Sequence, residues 1–156
     1  GAALKDYGHL VGTAAAHEFA ARVVDVHEWL APHMPALLAA SPTPTRTSVI
    51  VQDPCHLRHV QKAHASVRTV LSAVADVVEL DDDGMCCGAG GAYSALQPEM
   101  AGLVRDRKVA AIDRAAQGQQ LTIASANPGC LMHLESAGLD VRHPVDIVAH
   151  ALGLTS

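Results

Sequence analysis

Four cysteines are the residues of this chain best able to do chemistry, and their surroundings are alike. Cys55 follows Asp53-Pro54, Cys86 and Cys87 stand together between Gly84-Met85 and Gly88, and Cys130 follows Asn127-Pro128-Gly129. Core cysteines belong inside apolar runs, not at loop tips beside Gly and Pro, so packing is a poor account of these positions. Disulfide staples suit small secreted domains that lack a core. This chain is 49% hydrophobic and opens with no basic segment leading into an apolar one, so neither a missing core nor a signal peptide is expected. Metal ligation is the remaining reading. Thiolates are soft donors that suit iron–sulfur clusters, zinc or copper(I), and four of them complete either a cluster site or a tetrahedral zinc site. The paired C-x-x-C knuckles usual for zinc are absent. Adjacent cysteines in a strand would face opposite ways, but in a glycine-flanked turn Cys86 and Cys87 can serve one centre. Gly88, Gly90 and Gly91 would let backbone N–H groups approach cluster sulfides.

The elements around these loops predict how they meet. Ser48–Gln52, Val77–Leu80, Leu121–Ser125 and Val141–His143 read as short strands. Helical spacing runs over residues 9–31, through Val60 to Val74, across Ala95–Ala116, from Cys130 to Ala137, and from Pro144 to Leu152. Ser41-Pro42-Thr43-Pro44-Thr45 cannot continue a helix and reads as a linker. Strand–loop–helix alternation implies an α/β fold, a parallel sheet of about four strands flanked by helices. Ligands of such sheets gather at the carboxyl ends of strands. Each cysteine loop follows a strand, so the three loops are expected at one sheet edge, sharing a site. The aliphatic core is expected to leave those loops out.

Composition narrows the function. With 11 basic against 16 acidic residues the formal net charge is -5, against broad nucleic-acid binding. No apolar run is long enough for a membrane span. The chain opens at Gly1-Ala2-Ala3-Leu4-Lys5 without an initiator Met, as a piece of a longer protein would. Of its ten histidines, His17, His27 and His33 read as solvated or packed. His56 is a candidate hydrogen-bond partner for a sulfur, and His133, one turn after Cys130, a candidate ligand or neighbour. Asp81-Asp82-Asp83 lacks a hard-cation pattern and reads as a solvated turn. Gly88-Ala89-Gly90-Gly91 lacks the spacing of a phosphate loop.

Taken together, Asp53-Pro54-Cys55-His56-Leu57, Cys86-Cys87-Gly88-Ala89-Gly90-Gly91 and Asn127-Pro128-Gly129-Cys130 resemble the CCG cysteine-rich domain. That domain occurs in glycolate oxidase iron–sulfur subunits, related lactate-utilisation proteins and heterodisulfide reductases. The resemblance is strongest to the glycolate oxidase type, and extends to Leu4–His9, His56–Lys62 and Cys130–Gly138. It implies that residues 46–156 form a second, C-terminal CCG module, and that residues 1–45 are the helical tail of a preceding module plus a linker. The family pattern places a cysteine just before Gly1. The rest of such a subunit comprises a ferredoxin-like region and a first CCG module. The full pattern ends in C-x-x-C, whereas this chain has Cys130-Leu131-Met132-His133, as the glycolate oxidase branch does.

The expected cofactor is therefore a [4Fe-4S] cluster on Cys55, Cys86, Cys87 and Cys130, with His133 as a fifth candidate and zinc as the alternative. The implied function is electron transfer from a flavin-containing subunit that oxidises a 2-hydroxy acid. The implied location is cytoplasmic, reaching the inner face of the membrane through partners. A structural zinc module that docks subunits, and a thiol–disulfide site like that of heterodisulfide reductase, are the competing readings.

Overall fold

Alternating burial along β1 (Ser48–Gln52) sets the architecture: Val49 and Val51 enter one hydrophobic core and Ile50 the other. The computed structural model describes residues 1–41 and 43–154. Pro42 of the expected linker lies outside the described residues. Ahead of β1 come α1 (Ala2–Lys5), α2 (Tyr7–Val11), α3 (Ala14–Arg22), α4 (Val26–Leu30), a 3₁₀ turn (Ala31–His33) and α5 (Met34–Ala40). The helical spacing over residues 9–31 is thus broken into short pieces. Gly12 ends α2 in the left-handed region, Thr13 caps α3, and Asp25 with Glu28 forms a capping box on α4.

After β1 a π-helical turn (His56–Gln61) begins at Cys55, and α6 (His64–Ser72) leads to β2 (Asp76–Glu79). Next come α7 (Tyr93–Leu96) and α8 (Pro98–Ala116), separated at Gln97-Pro98, because proline opens a helix more readily than it continues one. Then follow β3 (Thr122–Ser125), α9 (Pro128–Glu135), β4 (Val141–Arg142) and α10 (Pro144–Ala151). The four strands form one parallel sheet in the order β2-β1-β3-β4. This is the expected α/β fold.

One core packs α6, α5 and α10 on the Val49, Val51 and Ala124 face; the other packs α8 and α9 on the Ile50, Ile123 and Val141 face. The chain leaves β1 by α6 on the first face and leaves the adjacent β3 by α9 on the second. The crevice outside the carboxyl ends of β1 and β3 is therefore a topological switch point, where open parallel sheets bind their ligands. Gln52 and Ser125 end these strands in register, and both are buried. Ser125 Oγ donates to Gln52 Oε1 at 2.7 Å, and Gln52 Nε2 donates to the Asp53 carbonyl at 2.7 Å.

The second core also corrects an expectation. Cys87, Ala89 and Cys130 belong to it, beside Ile50, Ile112, Ile123 and Leu134, with Cys87 2% and Cys130 5% exposed. The Cys86–Cys87 and Cys130 loops fold back over the sheet edge and close the end of this core.

Candidate metal centre

Each cysteine is positioned by a different local device. Cys55 is exposed, at the start of the π-helical turn that follows β1. Cys130 lies in the first turn of α9, whose cap Asn127 accepts the Cys130 N–H through Oδ1 at 3.1 Å, with Pro128 preset for a first turn. Cys86 and Cys87 occupy the loop after β2, which turns back at Gly88. The Gly88 φ is +90°, and a Cβ there would stand 2.5 Å from the Ala101 carbonyl oxygen and 3.1 Å from Arg105 N. Only glycine lets this loop lie so close to the backbone of α8. From that position the Gly88 N–H donates to Cys86 Sγ at 3.3 Å, the kind of N–H to sulfur contact expected of this loop.

The sulfurs of Cys87 and Cys130 share a hydrogen bond across 2.7 Å. All four cysteines are free. The contact splits the two acidities. The hydrogen bond with Cys130 brings the Cys87 thiol down to about 6 against the opposing effect of burial, while the same contact and burial push the Cys130 thiol up. The contact therefore favours ionisation of Cys87 over that of Cys130. Burial raises the Cys86 thiol; the Gly88 N–H works against this, and the neighbouring thiols of Cys87 and Cys55 add to it. Cys55 follows the carboxyl end of β1, and Cys86 and Cys130 follow the carboxyl ends of β2 and β3, so in this parallel sheet all three loops leave the same edge. Among the described residues, no three His, Cys, Asp or Glu side chains are gathered tightly enough to grip a single metal ion.

His133 lies against the Cys86–Cys87 loop. Its Nε2 lies 3.1 Å from where a Gly88 Cβ would be and 3.3 Å from the Ala101 carbonyl, so this nitrogen is spent on the backbone of α8. His56 is half-buried beside Cys55, and burial lowers its pKa, which keeps the ring neutral. No hydrogen bond from His56 to a sulfur is among the described contacts. His59 reaches the Gly84 carbonyl at 3.4 Å, joining the π-helical turn to the Cys86 loop. His27, one of the histidines read as solvated or packed, is packed: it is 1% exposed and bonded through Nδ1 to Asp25 at 2.7 Å.

An ionic network, not visible from sequence spacing, ties the loops together. Asp53, 4% exposed just ahead of Cys55, accepts from Arg58 at 2.9 Å and from Arg68 at 3.0 and 3.1 Å. Arg58 reaches on to Asp83 at 3.0 Å, and Arg68 makes two 2.6 Å bonds to Glu79 at the end of β2. Asp81 pairs with Arg114 at 2.7 Å, and Asp82 with the fully buried Lys108. The acidic triplet is a turn, as its sequence suggests, but not a merely solvated one, since each carboxylate holds a cation from another element. Lys108 does carry a sequence signal: it stands in the stripe of Ala101, Arg105 and Ile112 along α8, at a position where an apolar residue would be usual.

Comparison with known proteins agrees with this geometry. The cysteine-rich domain model of the CCG family matches residues 49–135, from β1 to the end of α9. The chain is 33% identical over 159 residues to the glycolate oxidase iron–sulfur subunit of Escherichia coli (strain K12), a match covering 97% of this chain and 38% of that protein. A probable glycolate oxidase iron–sulfur subunit of Bacillus subtilis (strain 168) is 32% identical over 115 residues, covering 67% of this chain and 25% of its own length. One component of the dihydromethanophenazine:CoB–CoM heterodisulfide reductase of Methanosarcina barkeri (strain Fusaro) is 32% identical over 168 residues, covering 99% of this chain and 39% of that component. The chain thus spans well under half the length of these relatives. With three cysteine loops on one parallel sheet and the family model matching more than half of the chain, residues 49–135, the chain belongs to the CCG cysteine-rich domain family.

Proposed function

We propose that the chain is an iron–sulfur electron-transfer domain of a glycolate oxidase-type complex, with Cys55, Cys86, Cys87 and Cys130 holding a [4Fe-4S] cluster. The observation that carries this reading is the buried Cys87–Cys130 sulfur contact at the switch point, with Cys55 and Cys86 in loops after the carboxyl ends of β1 and β2. The donor set fits, because four thiols are a usual complement for a cluster. Two relatives are iron–sulfur subunits by name. Residues 1–45 are proposed as the tail of a preceding module with its linker, and residues 46–156 as the CCG module itself.

Bound in this way, the cluster supplies a one-electron redox couple. The protein's own residues do the rest. The contact with Cys130 favours Cys87 as the thiolate, and ligation would replace that contact and release the thiol protons. The Gly88 N–H, aimed at Cys86 Sγ, stabilises negative charge on that sulfur. Burial of Cys87 and Cys130 under α8 and α9 keeps water from that side of the centre, while exposed Cys55 marks the side nearest solvent. His133 ties α9 to α8 through the Ala101 carbonyl and is not needed as a ligand. Electrons would arrive from a flavin-containing subunit that oxidises a 2-hydroxy acid. No helix among the described residues is long and apolar enough to cross a membrane, so membrane contact would come through partners.

The test is anaerobic reconstitution with ferrous iron and sulfide, followed by mixing with the flavin subunit of a glycolate oxidase and glycolate. A brown, acid-labile chromophore that bleaches on adding glycolate supports the reading when the domain stands within its complete subunit. A colourless protein that takes up zinc alone would favour a structural docking module instead.

A further inference from the structure

Lys108 is fully buried, and among the described residues its ammonium has one carboxylate partner, Asp82. Asp82 is itself committed to the cysteine loop: its Oδ1 accepts the Gly84 N–H at 3.1 Å, and its carbonyl accepts the Met85 N–H at 3.0 Å. Cys86 lies four positions after Asp82, and on α8 Lys108 lies one turn beyond Arg105, whose backbone abuts Gly88. The ion pair therefore clamps α8 to the loop that carries two of the four thiols, from inside the protein. A buried pair contributes little net stability compared with an apolar pair of the same volume, so a role in stability alone leaves the choice of a lysine here unexplained.

We propose that Lys108 is a positioning residue of the metal–thiolate centre, fixing the Cys86–Cys87 loop through Asp82 and raising the centre's reduction potential with its buried positive charge. The proposal rests on the iron–sulfur reading above. A cubane cluster with four thiolates carries net negative charge in either redox state, and one-electron reduction adds a further negative charge without making or breaking a bond. A cation held in a low-dielectric interior stabilises the reduced form more than the oxidised form. Asp82 carries the opposite charge and acts with the opposite sign.

Two substitutions separate this from a purely structural clamp. In reconstituted protein titrated with dithionite under mediators, Lys108→Met is expected to move the midpoint to lower potential and Asp82→Asn to higher potential. Shifts of the same sign, or unchanged potentials with equal loss of cluster from both variants, would overturn the proposal. Should Lys108→Met fail to fold by circular dichroism, Asp82→Asn decides alone: an upward shift supports the assignment, and a downward or absent one removes it. Should the wild type assemble no cluster, the iron–sulfur reading fails and cobalt(II) judges the charge effect through its thiolate absorption. Lys108→Met should then bind cobalt about tenfold more weakly than wild type and more weakly than Asp82→Asn, which loses the clamp but keeps the positive charge; equal weakening would refute the charge effect of the lysine.

Discussion

Replacing Asp53 by Asn removes the carboxylate on which both arginines of the ionic network converge. Asp53 is 4% exposed and accepts three charge-assisted bonds of 2.9 to 3.1 Å, two from Arg68 and one from Arg58. Breaking a fully buried pair costs about 3–5 kcal/mol. Here the cost is smaller, because both guanidiniums keep about a quarter of their surface, Arg68 retains Glu79 and Arg58 retains Asp83. The Asn carbonyl can also accept one bond, while its amide group faces a guanidinium. About 2–3 kcal/mol is the expected loss at pH 7. With a urea m-value of about 1–3 kcal/mol/M, the unfolding midpoint should fall by roughly 1–2 M with m unchanged. The pH dependence follows from Asp53's lowered pKa: burial opposes ionisation, and the bonds from Arg68 and Arg58 outweigh it. A carboxylate depressed in the folded state stabilises above its unfolded pKa, near about 3.9, and loses that contribution as the pH falls through its folded pKa. The gap between wild type and Asp53→Asn should therefore stay constant from pH 7 to 5 and close below about 4. Urea titrations of reduced, anaerobic protein at several pH values make the measurement. A midpoint change below about 0.3 M at pH 7, or a gap that widens in acid, would refute the reasoning.

Three further outcomes are expected. Cys87→Ser should reduce bound metal far more than His133→Ala, because His133 Nε2 is engaged with the Ala101 carbonyl; equal losses by metal analysis would make His133 a ligand. Gly88→Ala should lower stability by about 2–3 kcal/mol and impair metal uptake, since its Cβ would stand 2.5 Å from the Ala101 oxygen at a φ of +90°; an unchanged melting temperature would contradict the close approach. In metal-free reduced protein, thiolate absorbance should show a step near pH 6 that Cys87→Ser abolishes and Cys130→Ala moves up towards the ordinary thiol range; a step unaffected by Cys130→Ala would deny the effect of the contact.

Periodicity and punctuation made the fold legible. Val49, Ile50 and Val51 before Asp53-Pro54, and Ile123 and Ala124 before Asn127-Pro128, mark buried strands ending in loops, and the parallel sheet follows. The helical spacing over residues 9–31 carried no information on where it breaks, because Gly12 and the capping box of Asp25 act through dihedrals and hydrogen bonds that hydrophobic spacing does not encode. The cysteines were legible as a group from their loop context, but their burial was not. Glycine and proline neighbours signal a loop without saying whether it folds outward or, as with Cys87 and Cys130, back over the core. The charged residues were least legible. Lys108 and Asp82 lie 26 residues apart and Arg68 and Asp53 lie 15 apart, so only the folded sheet edge brings them together.

The central claim is that four cysteines from three loops hold one iron–sulfur centre. Its most direct test is iron and acid-labile sulfide content, with the spin-resonance spectrum after reduction, in anaerobically reconstituted wild type and in each single Cys→Ser variant at positions 55, 86, 87 and 130. The account predicts iron and sulfide in equal amounts in the wild type and a marked loss in all four variants, deepest for buried Cys87 and Cys130. Full cluster content in Cys55→Ser, or a wild type that holds zinc and no sulfide, would contradict it.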